Sequence, residues 1–438
     1  MQNRFVLKGT LYFCPERNKL TAMEGGYTVC EGGFCLGVYQ ELPPEFSDWP
    51  LEDHGDCLIL PGLVDLHIHA PQYAYWGLGM DLELIDWLNQ HAFAEEEKYR
   101  DFAYAEKAYG LFAEDIRRGP NTRACIFATC HTPTTLLLMD LLEHSGLVSY
   151  VGRVNMDRNS SPGLQEESAE AAVRETEEWI RLVLAKGYAN TRPILTPRFI
   201  PSCSDELMRG LRTLSERYAL PLQSHLSENL AEVEWVGELC PSAAGYAGAY
   251  HDFGLFGGDC PTVMAHCVWL GDQEMDLMRN QSVFAAHCPQ SNMNLSSGIA
   301  PMRKLLDRGI AAGLGSDVAG GCHSSIFRAM TDAIQVSKLY WRLVDSNCIP
   351  LRMEEAFYLG TMGGGAFFGK TGTFLPGYEF DALVIDDSQN RSASPPDKSG
   401  RLSRLMYQPE NARLIRKYVR GKDILRESSW SPRDCVSS

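Results

Sequence analysis

The chain carries only 11 histidines, and four of them, together with one aspartate, close short apolar runs. His67 and His69 alternate in GLVDLHIHA. Side chains two apart on a strand point to one face, so this pair offers two imidazoles in one direction, half of a metal site. His225 ends LPLQSH, His266 ends TVMAH and Asp317 ends GLGSD. Three neutral imidazoles and a carboxylate are a donor set for zinc, or for iron. Glu228 follows His225 by three residues. A carboxyl there is either a proton shuttle beside a metal or an acid favoured by the dipole at a helix N-terminus. Asp317 lies in GLGSDVAGG, whose glycines let backbone and ligand approach closely.

These residues meet only if the runs that carry them lie side by side. Eight such runs occupy residues 62–70, 124–132, 147–157, 192–199, 220–229, 262–270, 282–292 and 311–321. Between most of them the sequence has helical periodicity, as in EESAEAAVRETEEWIRLVLAK, with apolar residues three and four apart. Strands alternating with helices imply βαβ units and a parallel sheet. Eight units predict an α/β fold of the closed (β/α)₈ TIM-like barrel type, with strand ends gathered on one rim; an open doubly wound sheet is the alternative. Residues 1–60 and 366–438 read instead as short strands and turns, so both chain ends are expected to build a small β-sandwich domain beside a barrel spanning 61–365.

Several features read as ordinary structure. The EEEK run at Glu95–Lys98 is expected to be a solvated helix face. His131 and His287 lie near other strand ends, whereas His54, His91, His144, His251 and His323 read as surface or loop residues. The chain has no HExxH helix, phosphate-binding loop or GxSxG elbow, and no HxE with a later PCxxC.

Composition narrows the class further. Apolar residues make up 45% and charged residues 22% of the 438, the balance of a folded globular protein. A net charge of −16 argues against nucleic acid or anionic lipid as a partner. No apolar run reaches membrane-spanning length, and MQNRFVLKGT lacks the apolar centre of a secretory signal. The 14 cysteines, from Cys14 to Cys435, include no CxxC pair and read as small buried hydrophobes in a reducing cytoplasm.

With these residues in place the chain resembles the amidohydrolase superfamily, and within it the guanine deaminase branch. The resemblance is carried by PGLVDLHIHAPQY, LTPRF, SHLSEN, MAHCVWL, AAHCPQSN and LGSDVAGG, which occur in the family's order between residues 61 and 321. It implies that His67, His69, His225 and Asp317 bind one zinc ion, with Fe²⁺ as the alternative, and that His266 stands beside the metal's water. Two-metal members carry a lysine at the end of the fourth strand, where this chain has Thr196, Pro197, Arg198 and Phe199, so one metal is expected.

The implied reaction is hydrolytic deamination of guanine to xanthine and ammonia. Asp317 would take the water's proton, His266 would align the nucleophile, and Glu228 would protonate N3 of the ring. Arg198 would meet O6 and N7, Gln72 the ring edge and Phe199 the ring face, with Glu228, His225 and Asp317 completing the substrate contacts. Taken singly, these three also read as a surface ion-pair partner, a loop polar group and a core aromatic. Trp87 lies where the family keeps a tryptophan and either walls the pocket or packs; GGCHSSIF after Asp317 departs from the commoner wording. The resemblance further implies a cytoplasmic homodimer whose partners are guanine and water. The alternatives are a related enzyme acting on another purine or a triazine-like ring, and a non-catalytic scaffold of the same fold.

Overall fold

In the computed structural model of the chain, residues 3–391, 393–394 and 396–426 are described. Cys435 and the end of the 366–438 segment lie outside them. Eight parallel strands run in chain order: Leu63–His69, Asn121–Phe127, Val148–Gly152, Thr191–Pro193, Leu222–Leu226, Thr262–His266, Phe284–His287 and Ala312–Leu314. They form two four-stranded sheets. The two are joined at one seam by a bridge between Leu195 and Leu222. At the other seam the Asp317 amide donates to the His67 carbonyl (2.8 Å) and the His69 amide to that of Val318 (3.2 Å). Every residue of the first two strands is buried, as expected when helices cover the outside of a parallel sheet and side chains fill its inside.

The helices start and stop where local chemistry dictates. Asp101 caps Phe102–Arg118 by accepting the amides of Ala103 and Tyr104, and Ser168 caps Ala169–Lys186 through Ala171. Gly187, at φ 62°, ends the second of these in the left-handed conformation that costs glycine least. Within Ala169–Lys186, Ala172, Thr176, Trp179, Ile180 and Val183 form the buried stripe.

Several strands are shorter than the apolar runs that predict them. The run 192–199 yields only Thr191–Pro193 and the two-residue Thr196–Pro197, because each proline lacks the amide a ladder needs. The run 282–292 stops at His287 and continues as a short helix, Pro289–Asn294.

The first strand contains a bulge with functional consequences. Its register against the second strand pairs Asp65 with Ala124 but Ile68 with Ile126, three residues against two. Val64 and Leu66 pack inside with Cys125, Ile194, Val263 and Ala286. One extra residue shifts the alternation, so that His67 and His69 also face inward.

Residues from both chain ends form one seven-stranded sheet. Its order is Lys422–Asp423, Arg413–Val419, Ala382–Asp386, Leu51–Pro61, Arg4–Glu16, Lys19–Glu31 and Phe34–Tyr39. Its own apolar cluster includes Phe5, Phe13, Phe374, Phe380 and Tyr418. Two polar anchors tie it to the barrel. Buried Arg123 pairs with Asp381 (2.7 Å) and Glu379 (2.6 Å). Lys417 donates to the carbonyls of Ile116, Arg117 and Gly119 at 3.0, 3.0 and 2.8 Å, closing the end of the helix Phe102–Arg118. All 13 described cysteines are free, ten of them buried. Among the described residues no helix is long and apolar enough to cross a membrane.

Replacing Lys417 by methionine keeps the side-chain volume and removes the donor to all three carbonyls, leaving that of Ile116 with only the Gly119 amide. The variant should lose about 2–3 kcal/mol of stability, read as a lower thermal midpoint with unchanged metal content.

Candidate active site

At the C-terminal rim of the barrel four donor atoms come together from three places in the chain. The Nε2 atoms of His67 and His69 are 3.2 Å apart, and that of His225 is 3.3 Å from His69. Asp317 Oδ1 lies 3.1 Å from His67 Nε2 and 3.5 Å from His69 Nε2. Four ligands held tetrahedrally at about 2.0–2.1 Å from a zinc ion are separated by about 3.3–3.4 Å along each edge. The four close pairs have the separation expected between ligands of one ion, and the three imidazole nitrogens all lie within 4.8 Å of one another, so the residues present fit a single ion. The His225 Nδ1–H must donate to the carbonyl of Arg198, 2.5 Å away, which leaves the Nε2 lone pair facing the cluster. Burial, followed by the charge of neighbouring imidazoles, lowers His69 and His225 well below the usual histidine range, so both are neutral donors.

His266 stands just outside this set. Its Nε2 lies 3.8 Å from Asp317 Oδ2 and 3.3 Å from Glu228 Oε2, while its Nδ1 is 2.9 Å from Asn292 Oδ1. An overlapping group of His67, His266 and Cys288 also brings donor atoms within 4.8 Å. Burial, followed by the charge of Asp317, raises the Cys288 thiol well above its ordinary value, which disfavours the thiolate that a metal needs.

The backbone here is strained and held. Ser227, His266, Cys267 and Asp317 have φ of 50°, 72°, 55° and 47°, a region that L-residues occupy only when their surroundings impose it. Asp65, which the sequence reading passed over, is one source of that constraint. Its buried carboxylate accepts the Ser316 hydroxyl (2.6 Å), the Ser316 amide (3.0 Å) and the amide of His67 (3.2 Å), the residue at the bulge. A carboxylate in the apolar run that leads to the two histidines was the available signal.

Glu228 is fully buried, and its Oε1 accepts the Ser297 hydroxyl (3.1 Å). Burial, then the charges of Asp317 and Glu232, raise it well above the usual carboxylate range. The helix-terminal role considered for Glu228 belongs to its neighbours: Asn229 and Glu232 form the capping box of Leu230–Leu239, and Glu232 Oε2 accepts the Glu228 amide.

The same cavity is lined by Gln72, Trp87, Arg198 and Phe199 as well as by His69, His225, Glu228, His266 and Asp317. Trp87 and Phe199 are buried, and the Trp87 indole donates to the Leu78 carbonyl (3.3 Å). Arg198 is not a surface residue: its guanidinium pairs with both oxygens of Glu96 at 2.5 and 3.1 Å. This corrects the expectation for Glu95–Lys98. Glu96 points inward, and Glu95 is buried against Tyr104 and Lys98. Only Lys98 of that run is exposed.

His131 and His287 do not line the cavity. His287 is buried beside His266 and is lowered to about 3, chiefly by burial. None of His54, His91, His144, His251 and His323 is buried.

The chain belongs to the amidohydrolase family, whose sequence pattern matches residues 58–423. Its relatives within that family include guanine deaminases. It is 42% identical to the guanine deaminase of Dictyostelium discoideum over 337 residues, 76% of this chain and 74% of that one. It is 36% identical to the guanine deaminase of Homo sapiens over 384 residues, 84% of this chain and 83% of that one. The structure superposes on a guanine deaminase from C. acetobutylicum, solved with guanine in its active site, with a TM-score of 0.92 at 42% identity. That match covers 96% of this chain and 100% of the other.

Elemental analysis should find one divalent ion per chain. Replacing Asp65 by alanine, which touches no donor atom, should weaken metal affinity by about 10–100-fold, measured by competition with a chromogenic chelator. An unchanged affinity would mean that the bulge and the Asp317 turn hold their shape without it.

Proposed function

We propose that this protein is a metal-dependent hydrolase that removes the 2-amino group of guanine, giving xanthine and ammonia. The observation that carries this reading is the convergence, on one buried cavity, of a four-donor cluster, a carboxyl raised well above its usual range and a buried guanidinium. The similarity to a solved guanine deaminase that holds guanine in its active site supports it.

We assign zinc to His67, His69, His225 and Asp317. When bound, zinc lowers the pKa of a water from 15.7 to about 7 and so supplies a nucleophile at neutral pH. The chain's own groups then manage protons and orientation. Asp317 accepts a proton from the attacking water. His266, fixed by Asn292 with its Nδ1–H turned away from the cavity, offers Nε2 to hold that water in line. Glu228, protonated because it is buried among other carboxylates, gives its proton to N3 of the ring as oxygen adds to C2. The C2–N bond then breaks. Of the water's two protons, one ends on N3 and the other leaves with ammonia, so Glu228 and Asp317 return to their starting states.

Arg198 supplies the selectivity. Glu96 occupies two of the five guanidinium N–H groups, leaving three for acceptors such as O6 and N7. Adenine places an amino donor where guanine has O6 and is rejected by an N–H against an N–H. Phe199 covers the ring face. The reading extends to a cytoplasmic homodimer.

Purified, metal-replete protein should convert guanine to equal amounts of xanthine and ammonia, followed by the loss of guanine absorbance and an ammonia assay. Glu228→Gln should keep its metal and lose about 10³-fold in kcat, since general acid–base catalysis of this kind contributes about 10²–10⁴. Normal turnover in that variant would remove Glu228 from the proton path, and no xanthine from the wild type would remove guanine.

A further inference from the structure

We propose that Glu96 is a positioning residue for substrate discrimination, holding Arg198 and Gln72 as one unit that reads the 6-oxo edge of the purine. The inference rests on guanine being the substrate. The Glu96 carboxylate is 1% exposed and touches none of the four metal donors. It accepts two N–H groups from Arg198 and a third from Gln72 Nε2 at 2.9 Å. One helical turn holds Arg198 from two directions, because the guanidinium also lies 5.1 Å from the ring centre of Phe93, three residues before Glu96.

The same carboxylate fixes which way round Gln72 sits. The Ala319 amide can only donate, and it donates to Gln72 Oε1 (3.1 Å), while Nε2 faces the carboxylate. A flipped amide would set oxygen against carboxylate and N–H against N–H. One donor and one acceptor position of the amide stay open toward the cavity.

Charge is the second consequence. An unpaired guanidinium in this pocket would favour anions. Paired with Glu96 it presents N–H donors without net charge, which suits a neutral ring carrying adjacent acceptors. Glu96 therefore sets both the hydrogen-bond pattern and the electrostatic character of the reading edge without itself lining the cavity.

The test compares wild type, Glu96→Gln and Glu96→Asp for guanine turnover, metal content and competitive inhibition by hypoxanthine, which has the 6-oxo group, and purine, which lacks it. Glu96→Gln should raise the KM for guanine by about 10²-fold while kcat falls less than about tenfold. Its preference for hypoxanthine over purine should shrink by about tenfold or more, with one metal ion per chain retained. Glu96→Asp, which still carries a charge for Arg198, should fall between Glu96→Gln and wild type. A merely structural role would lower the thermal midpoint and metal content while leaving the hypoxanthine-to-purine ratio unmoved, and that result overturns the proposal. If Glu96→Gln does not fold, Glu96→Asp decides: a reduced ratio supports the positioning role and an unchanged one overturns it. A wild type that yields no xanthine would fail the guanine reading itself. A wild type that turns guanine over beside a Glu96→Gln variant with normal KM would fail this inference alone.

Discussion

The carboxylate of Asp65 is the interaction on which the rest of the site depends. It takes up the amide of His67 at the bulge and grips both polar groups of Ser316 across the closing seam of the barrel. The bulge turns His67 and His69 inward, and the grip on Ser316 seats Asp317 at a positive φ beside them. Burial raises Asp65 to about 6, yet three donors hold it in place, so its desolvation is offset where first and eighth strands meet.

The cavity inherits a division of labour from this geometry. One wall, made of neutral imidazoles and Asp317, is suited to a cation and to water. A second wall, of Arg198 and Gln72 with Glu96 as their shared partner, has its charges cancelled internally and offers hydrogen bonds of fixed direction. Glu228 lies near the first wall, among acids that keep its proton in place. A neutral polar ring between the two walls meets an activated water on one side and a specific donor pattern on the other.

How much of this was readable in the chain follows from where each residue sits. His67, His69, His225, His266 and Asp317 announce themselves because each ends an apolar run, and a parallel barrel brings all such ends to one rim. Gln72, Arg198 and Phe199 lie close after strand ends and were reached through the family's wording. Glu96 was misread. It stands in a run of like charges on a helical segment 102 residues from Arg198, and a charge run has the same letters whether one member faces solvent or core. The bulge was invisible as well, because alternation in HIH shows that two imidazoles share a face and not which face it is. Strand lengths failed where proline or a functional turn interrupts an apolar run, as at Pro193 and Pro197.

The contact of Lys417 with the end of the helix Phe102–Arg118 also bears on the order in which the molecule is made. About 300 residues separate the ammonium from the carbonyls it closes. A ribosome that has finished the first βα units, and even all eight, has not yet delivered the group that completes the first long helix. The strand carrying Lys417 lies in the same sheet as residues 4–16, so that sheet is complete only when both segments have been made. Until residues 413–419 are made, the barrel carries an open helix end and an unfinished sheet edge, and an unpaired edge is a template for wrong pairing.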